Sequence, residues 1–218
     1  MCNKASVYNS LFEDKFIVKR IKNKLPHLFQ LAELESQRNG KIGMEVGSTR
    51  EKILIALMMY KYGMDDVNAE IPITYPEVDV FVKNEPLSIK TVTTKNNRWT
   101  NGTKLVWSVD SATANNFKQN YTPSCGMLLA QIQWEDEGAL YFFPKEAQKE
   151  VMDGLGKDEY MILPKPGTNS RGVELSPLAL QTLTKHIATK EIRIFFRREE
   201  IDYREVYTKW LDAWHDQD

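Results

Sequence analysis

The chain has 218 residues, a formal net charge of −1, 42% hydrophobic residues and 27% charged residues. That length fits one large domain, or a domain with a small appendage, and the hydrophobic share supports a sizeable core. No apolar run approaches the ~20 residues that span a membrane, and the near-neutral charge leaves any DNA contact to local basic patches.

The first residues, Met1-Cys2-Asn3-Lys4-Ala5-Ser6, carry no apolar signal segment. Cys2 and Cys125 are too few and too far apart for a disulfide framework or a thiolate metal site, so a reducing, cytoplasmic setting is expected. His27, His186 and His215 are scattered, which argues against a histidine-ligated metal centre.

Residues 10–25 predict an amphipathic helix, with Leu11, Phe16, Ile17, Ile21 and Leu25 at helical spacing. Pro26 ends it and opens a second helix over 27–39, closed by Gly40. These helices serve packing or a dimerisation surface. Gly40, Gly43 and Gly47 then make a turn-rich loop around Met44. Met44 has two readings: a core side chain, or an apolar wedge pushed between base steps from the minor groove.

Residues 48–62 give the clearest helical pattern, with Ser48 as N-cap and Gly63 just past the end. Glu51 follows Ser48 at the capping-box spacing. It either satisfies backbone donors or places an acid at a metal site. Residues 67–73 predict a short edge strand, kept off the sheet centre by Pro72.

A β-hairpin comes next. Val78, Val80 and Val82 alternate with Glu77, Asp79 and Phe81; then Leu87, Ile89 and Thr91 alternate with Ser88, Lys90 and Val92. A two-residue loop at Asn84-Glu85 puts Asp79 directly opposite Lys90, with Cβ atoms about 5 Å apart. Taken alone, the pair reads as a surface ion pair or as two parts of a hydrolytic site.

The loop over 94–107 mixes Lys95, Arg98, Trp99 and Lys104 with amides, a composition suited to phosphate and base contact. A helix over 110–120, a central strand over 126–134 and a strand over 139–143 follow. Then come a helix over 144–152 and a strand over 160–163. The polar loop 165–172 offers Asn169 and Arg171 to base edges. A helix over 176–189, a strand over 191–196 and a last amphipathic helix capped by Asp202 complete the chain.

The central order is helix, three strands, helix, strand. A metal-dependent phosphodiesterase needs carboxylates to hold Mg2+ and a lysine near the attacking water. Asp79 and Lys90 supply two of these parts, the Ile89 carbonyl a further oxygen, and Glu51 a second acid from the helix.

These residues resemble the PD-(D/E)xK nuclease superfamily, whose signature is an acid on one strand and acid-x-Lys on the next. The match covers residues 48–134, with Asp79 as the acid and Ser88-Ile89-Lys90 as the second part. It departs from the pattern at Val78, with Pro76 displaced, and at Ser88, where an acid is expected. Glu51 then stands in for the missing carboxylate.

The chain length, the lead-in from Gly43 to Glu51 and the Asp79/Lys90 spacing resemble type II restriction endonucleases of the ThaI family. The resemblance implies an α/β fold, with a mixed central sheet flanked by helices around an αβββαβ core. It implies one nuclease domain over 1–218, with N-terminal helices at 10–39, a catalytic core at 48–134 and a C-terminal α/β part at 139–218. It further implies a Mg2+-dependent homodimer cutting CG/CG to blunt ends, with Glu51, Asp79 and Lys90 as the active site. Met44 is then the wedge, and a cognate methyltransferase protects the host. Three other functions fit the residues: a structure-specific repair or junction-resolving nuclease, a non-catalytic DNA-binding protein whose site has decayed at Ser88, and an ordinary interaction domain whose Asp79–Lys90 pair is structural.

Overall fold

The strand Gly126–Ile132 is buried on both faces, and the fold is layered around it. The computed structural model describes residues 6–38, 41–43, 45–72, 74–96, 99–100, 102–106, 111–164 and 172–215. In chain order the elements are α1 (Asn9–Glu13), α2 (Lys15–Glu35), β1 (Gln37–Arg38), β2 (Lys41–Ile42), α3 (Val46–Tyr62), β3 (Val67–Asn68), β4 (Val80–Val82), β5 (Glu85–Thr93) and β6 (Thr103–Val106). They continue with α4 (Ser111–Asn120), β7 (Gly126–Ile132), β8 (Asp136–Phe143), α5 (Lys145–Leu155), α6 (Lys157–Tyr160), β9 (Met161–Ile162), β10 (Val173–Leu175), α7 (Pro177–Thr184), β11 (Lys190–Phe196) and α8 (Thr208–His215).

Among the described residues, six strands form the main sheet in the order β11-β8-β7-β5-β4-β3. β5 and β7 run parallel, joined by a crossover that contains α4, and the other neighbours are antiparallel. β6, β10 and β9 form a small second sheet. The expected mixed α/β architecture is present, with the order α3-β3-β4-β5-α4-β7 and β6 inserted before α4.

Period-2 alternation divides the core. Leu128, Ala130 and Ile132 face a cluster with Ile21, Leu25 and Phe29 of α2 and Leu54 and Met58 of α3. Met127 and Leu129 face a second cluster with Val151 and Met152 of α5 and Leu180 and Leu183 of α7. Among the described residues no helix is long and apolar enough to cross a membrane.

Four local expectations change. The first helical stretch breaks at Asp14, whose side chain accepts the Phe16 and Ile17 N–H groups and starts α2. α2 then runs through Pro26. A proline inside a helix costs about 3 kcal/mol, but Ile21, Leu25, Phe29 and Ala32 keep one buried stripe across it. Burial of that stripe holds the helix straight through the expected stop. The edge strand shrinks to Val67–Asn68. At the far end, Asp202 accepts the Arg204 N–H and opens a 3-10 turn before α8, whose Trp210, Leu211 and Trp214 stay exposed.

Candidate active site

The hairpin turns at Lys83-Asn84, one residue earlier than its alternation predicts. Both residues have positive φ, 49° and 65°, the signature of a two-residue type I′ turn. The ladder pairs Val80 with Leu87 and Phe81 with Pro86, which sets Asp79 level with Ser88 instead of Lys90. The pairing moves by two residues, so every side chain keeps its face. Lys90 therefore reaches Asp79 diagonally.

Three donors converge on Asp79 Oδ2: Lys90 Nζ at 2.8 Å, the Ile89 backbone N–H at 2.6 Å and the Ser88 hydroxyl at 3.2 Å. The Ile89 contact has a topological cause. β4 stops pairing after Leu87, so the β5 edge beyond it is open, and the Asp79 carboxylate takes the place of a strand partner. Lys90 is only 12% exposed and Asp79 27%, so this is a cleft pair and not a surface pair. Ser88 is fully buried beneath them. An acid there would press a second carboxylate against Asp79 without solvent.

α3 brings Glu51 to the same place. The helix starts at Val46, where the Thr49 N–H meets the Glu45 carbonyl, two residues before the expected cap. Ser48 and Glu51 are therefore inside the helix, and the capping-box role for Glu51 is set aside. The Glu51 side chain enters a cleft of about 360 Å3 shared with Asp79 and Lys90. Burial pushes its pKa up to about 7; the Lys90 charge pulls it down and the Asp79 charge adds to the rise. The far wall is the second sheet, where Lys104 and Glu174 are cross-strand partners.

Buried polar groups fix the helix. Arg50 is ion-paired with Glu33 of α2 and donates to Thr93 Oγ1 of β5 at 3.2 Å. Glu33 also accepts Trp134 Nε1 at 2.7 Å and Arg198 Nη2 at 2.6 Å. Glu77 is the second buried acid, held by Tyr121 and Ser124. Neither acid stands out in sequence, because a surface Glu gives the same signal; Glu33 sits on the apolar stripe of α2, the one available hint.

The other predicted DNA contacts are spread out. Lys104 lines the cleft. Lys95 is exposed past the end of β5, and Trp99 packs 6.5 Å from the Tyr141 ring, against the second core cluster. Met44, Arg98, Asn169 and Arg171 lie outside the described residues. Three acids line the cleft: Glu51 and Asp79 on the Lys90 side, and Glu174 on the second sheet; among the described residues no three metal-binding side chains are grouped closely enough to hold an ion together.

Comparison with known proteins gives the family of the chain. The family model described as restriction endonuclease ThaI matches residues 11–216. A restriction endonuclease solved in complex with substrate DNA is similar at 41% identity and a TM-score of 0.86, over 96% of this chain and 99% of that one. No curated protein matches the sequence. A mixed sheet with this topology and these similarities define a restriction endonuclease, a site-specific enzyme of the type II kind. Within that class, the chain belongs to the ThaI family.

Proposed function

We propose that the protein is a Mg2+-dependent type II restriction endonuclease that acts as a homodimer and cuts CG/CG to blunt ends. The meeting of Glu51, Asp79 and Lys90 in one cleft, in a chain of this family, carries the reading. The donor set fits a hard cation, since it is all oxygen. Glu51 and Asp79 present their carboxylates on the Lys90 side of the cleft, with Glu174 on the far wall, and the Ile89 carbonyl leaves the strand on the same side as the N–H that meets Asp79. Burial that raises Glu51 to about 7 also marks a carboxylate short of positive charge.

When bound, Mg2+ supplies polarisation of the scissile phosphate and an acidified water. Asp79 and Glu51 hold the cation. Lys90 orients the attacking water and stabilises negative charge growing on the phosphate. Hydrolysis leaves 5′-phosphate and 3′-hydroxyl ends. Lys95, Arg98 and Lys104 contact the phosphate backbone, with Trp99 the aromatic member of the same DNA-binding stretch, while Asn169 and Arg171 read base edges. Met44 enters the base stack at the CG step, a pyrimidine–purine step that unstacks easily. The substrate DNA bound to the similar restriction endonuclease supports DNA as the partner. A palindrome suits a twofold dimer, and a cognate methyltransferase shields host sites.

Digestion of a mapped plasmid, with both ends sequenced, tests the reading. Flush cuts inside CGCG in Mg2+, and none in EDTA, are expected. Cleavage confined to branched DNA would instead identify a structure-specific nuclease, and binding without cleavage a non-catalytic protein.

A further inference from the structure

Glu77 is 6% exposed, yet no cation among the described residues forms an ion pair with it. Its carboxylate accepts Tyr121 Oη at 2.6 Å, the Ser124 backbone N–H at 2.9 Å and the Ser124 hydroxyl. A buried carboxylate is costly unless its hydrogen bonds are made, and here three neutral donors make them. Tyr121 follows α4 and Ser124 stands just before β7.

Glu77 is also two residues from Asp79, and that stretch needs an anchor. The β4–β5 pairs begin at Val80, so Asp79 lies outside the ladder. One backbone bond, from the Asp79 N–H to the Leu87 carbonyl at 2.9 Å, ties it to β5. The chain before it is a turn, closed by the Val78 N–H on the Tyr75 carbonyl.

We propose that Glu77 is a positioning residue for Asp79. It locks the turn to the junction of α4 and β7, and so keeps the Asp79 carboxylate on Ile89 and Lys90 and open to the cation. The inference rests on Asp79 being a metal-holding acid. Glu77 itself touches neither cation nor DNA.

Tyr121→Phe removes one bond and leaves the carboxylate and packing in place; Glu77→Gln removes the charge at constant shape. Each variant is assayed for plasmid cleavage against Mg2+ concentration, DNA affinity in EDTA, and melting temperature. The Mg2+ needed for half-maximal cleavage should rise severalfold in Tyr121→Phe and about tenfold or more in Glu77→Gln, the usual scale for partners that orient a metal ligand. DNA affinity in EDTA should hold. Wild-type Mg2+ dependence in Tyr121→Phe, whatever happens to melting temperature, overturns the inference, and that variant decides if Glu77→Gln does not fold. Asp79→Asn separates the two claims. If it cleaves normally, the metal-site reading itself fails; if it is inactive while both Tyr121→Phe and Glu77→Gln keep wild-type Mg2+ dependence, only the positioning role fails.

Discussion

Lys90 and Glu51 meet Asp79 by different routes. Lys90 reaches it along the hairpin at 2.8 Å, whereas Glu51 comes from a helix and is held by burial. Lys90→Ala should therefore lower the cleavage rate by about 10²-fold or more, the scale of a lost transition-state donor, with DNA affinity retained; a near wild-type rate in a plasmid assay would contradict the role. Glu51 gives a pH signature. Its folded pKa of about 7 lies above the ordinary glutamate value of 4.5, so the folded metal-free protein keeps a proton that the unfolded chain loses. Its contribution to stability is thus full below about 4.5 and is lost as pH rises to about 7. A cation needs the deprotonated form, so Mg2+ binding should strengthen from pH 6 to pH 8. Thermal shift against Mg2+ at the two values checks this, and Glu51→Gln should abolish the difference. At this scale Asp79 and Lys90 were legible from strand alternation. Ser88, the apparent defect, was legible only as an absence, and its fully buried place under Asp79 accounts for it.

Elements were readable where one period dominated and less so at their ends. The hairpin faces came through because alternation sets the face, but the loop was misplaced because Lys83 and Asn84 adopt positive φ without a glycine to announce it. That strain is testable. Lys83→Asn with Asn84→Gly installs the preferred type I′ pair and should raise stability by about 0.5–1 kcal/mol, seen as a higher melting temperature with unchanged cleavage. A drop would mean that the Lys83–Asp66 contact at 3.5 Å matters more than the turn. Pro26 and Ser48 misled for a shared reason. Both are local signals, overridden in α2 by a buried stripe and in α3 by a start at Val46. Arg50 shows the limit from the other side, since its partners Glu33 and Thr93 are remote in sequence.

Across the whole molecule, the sheet separates two cores and carries the cleft at one open edge of β5. Leu128, fully buried in β7, supports the helical layer that holds α3. Leu128→Ala should cost about 2–5 kcal/mol, read as an earlier urea midpoint; an unchanged midpoint would contradict the layered core. The α/β class and the αβββαβ order were visible in the succession of elements. The target bases were not, because base readout is set by how side chains meet base edges in a groove, which periodicity and spacing do not encode. The central claim is that Glu51 completes the site. The single-turnover rate of Glu51→Gln on plasmid DNA in Mg2+ tests it most directly. A loss of about 10²-fold or more, with DNA affinity in EDTA unchanged, is the predicted result; cleavage at a near wild-type rate would contradict it.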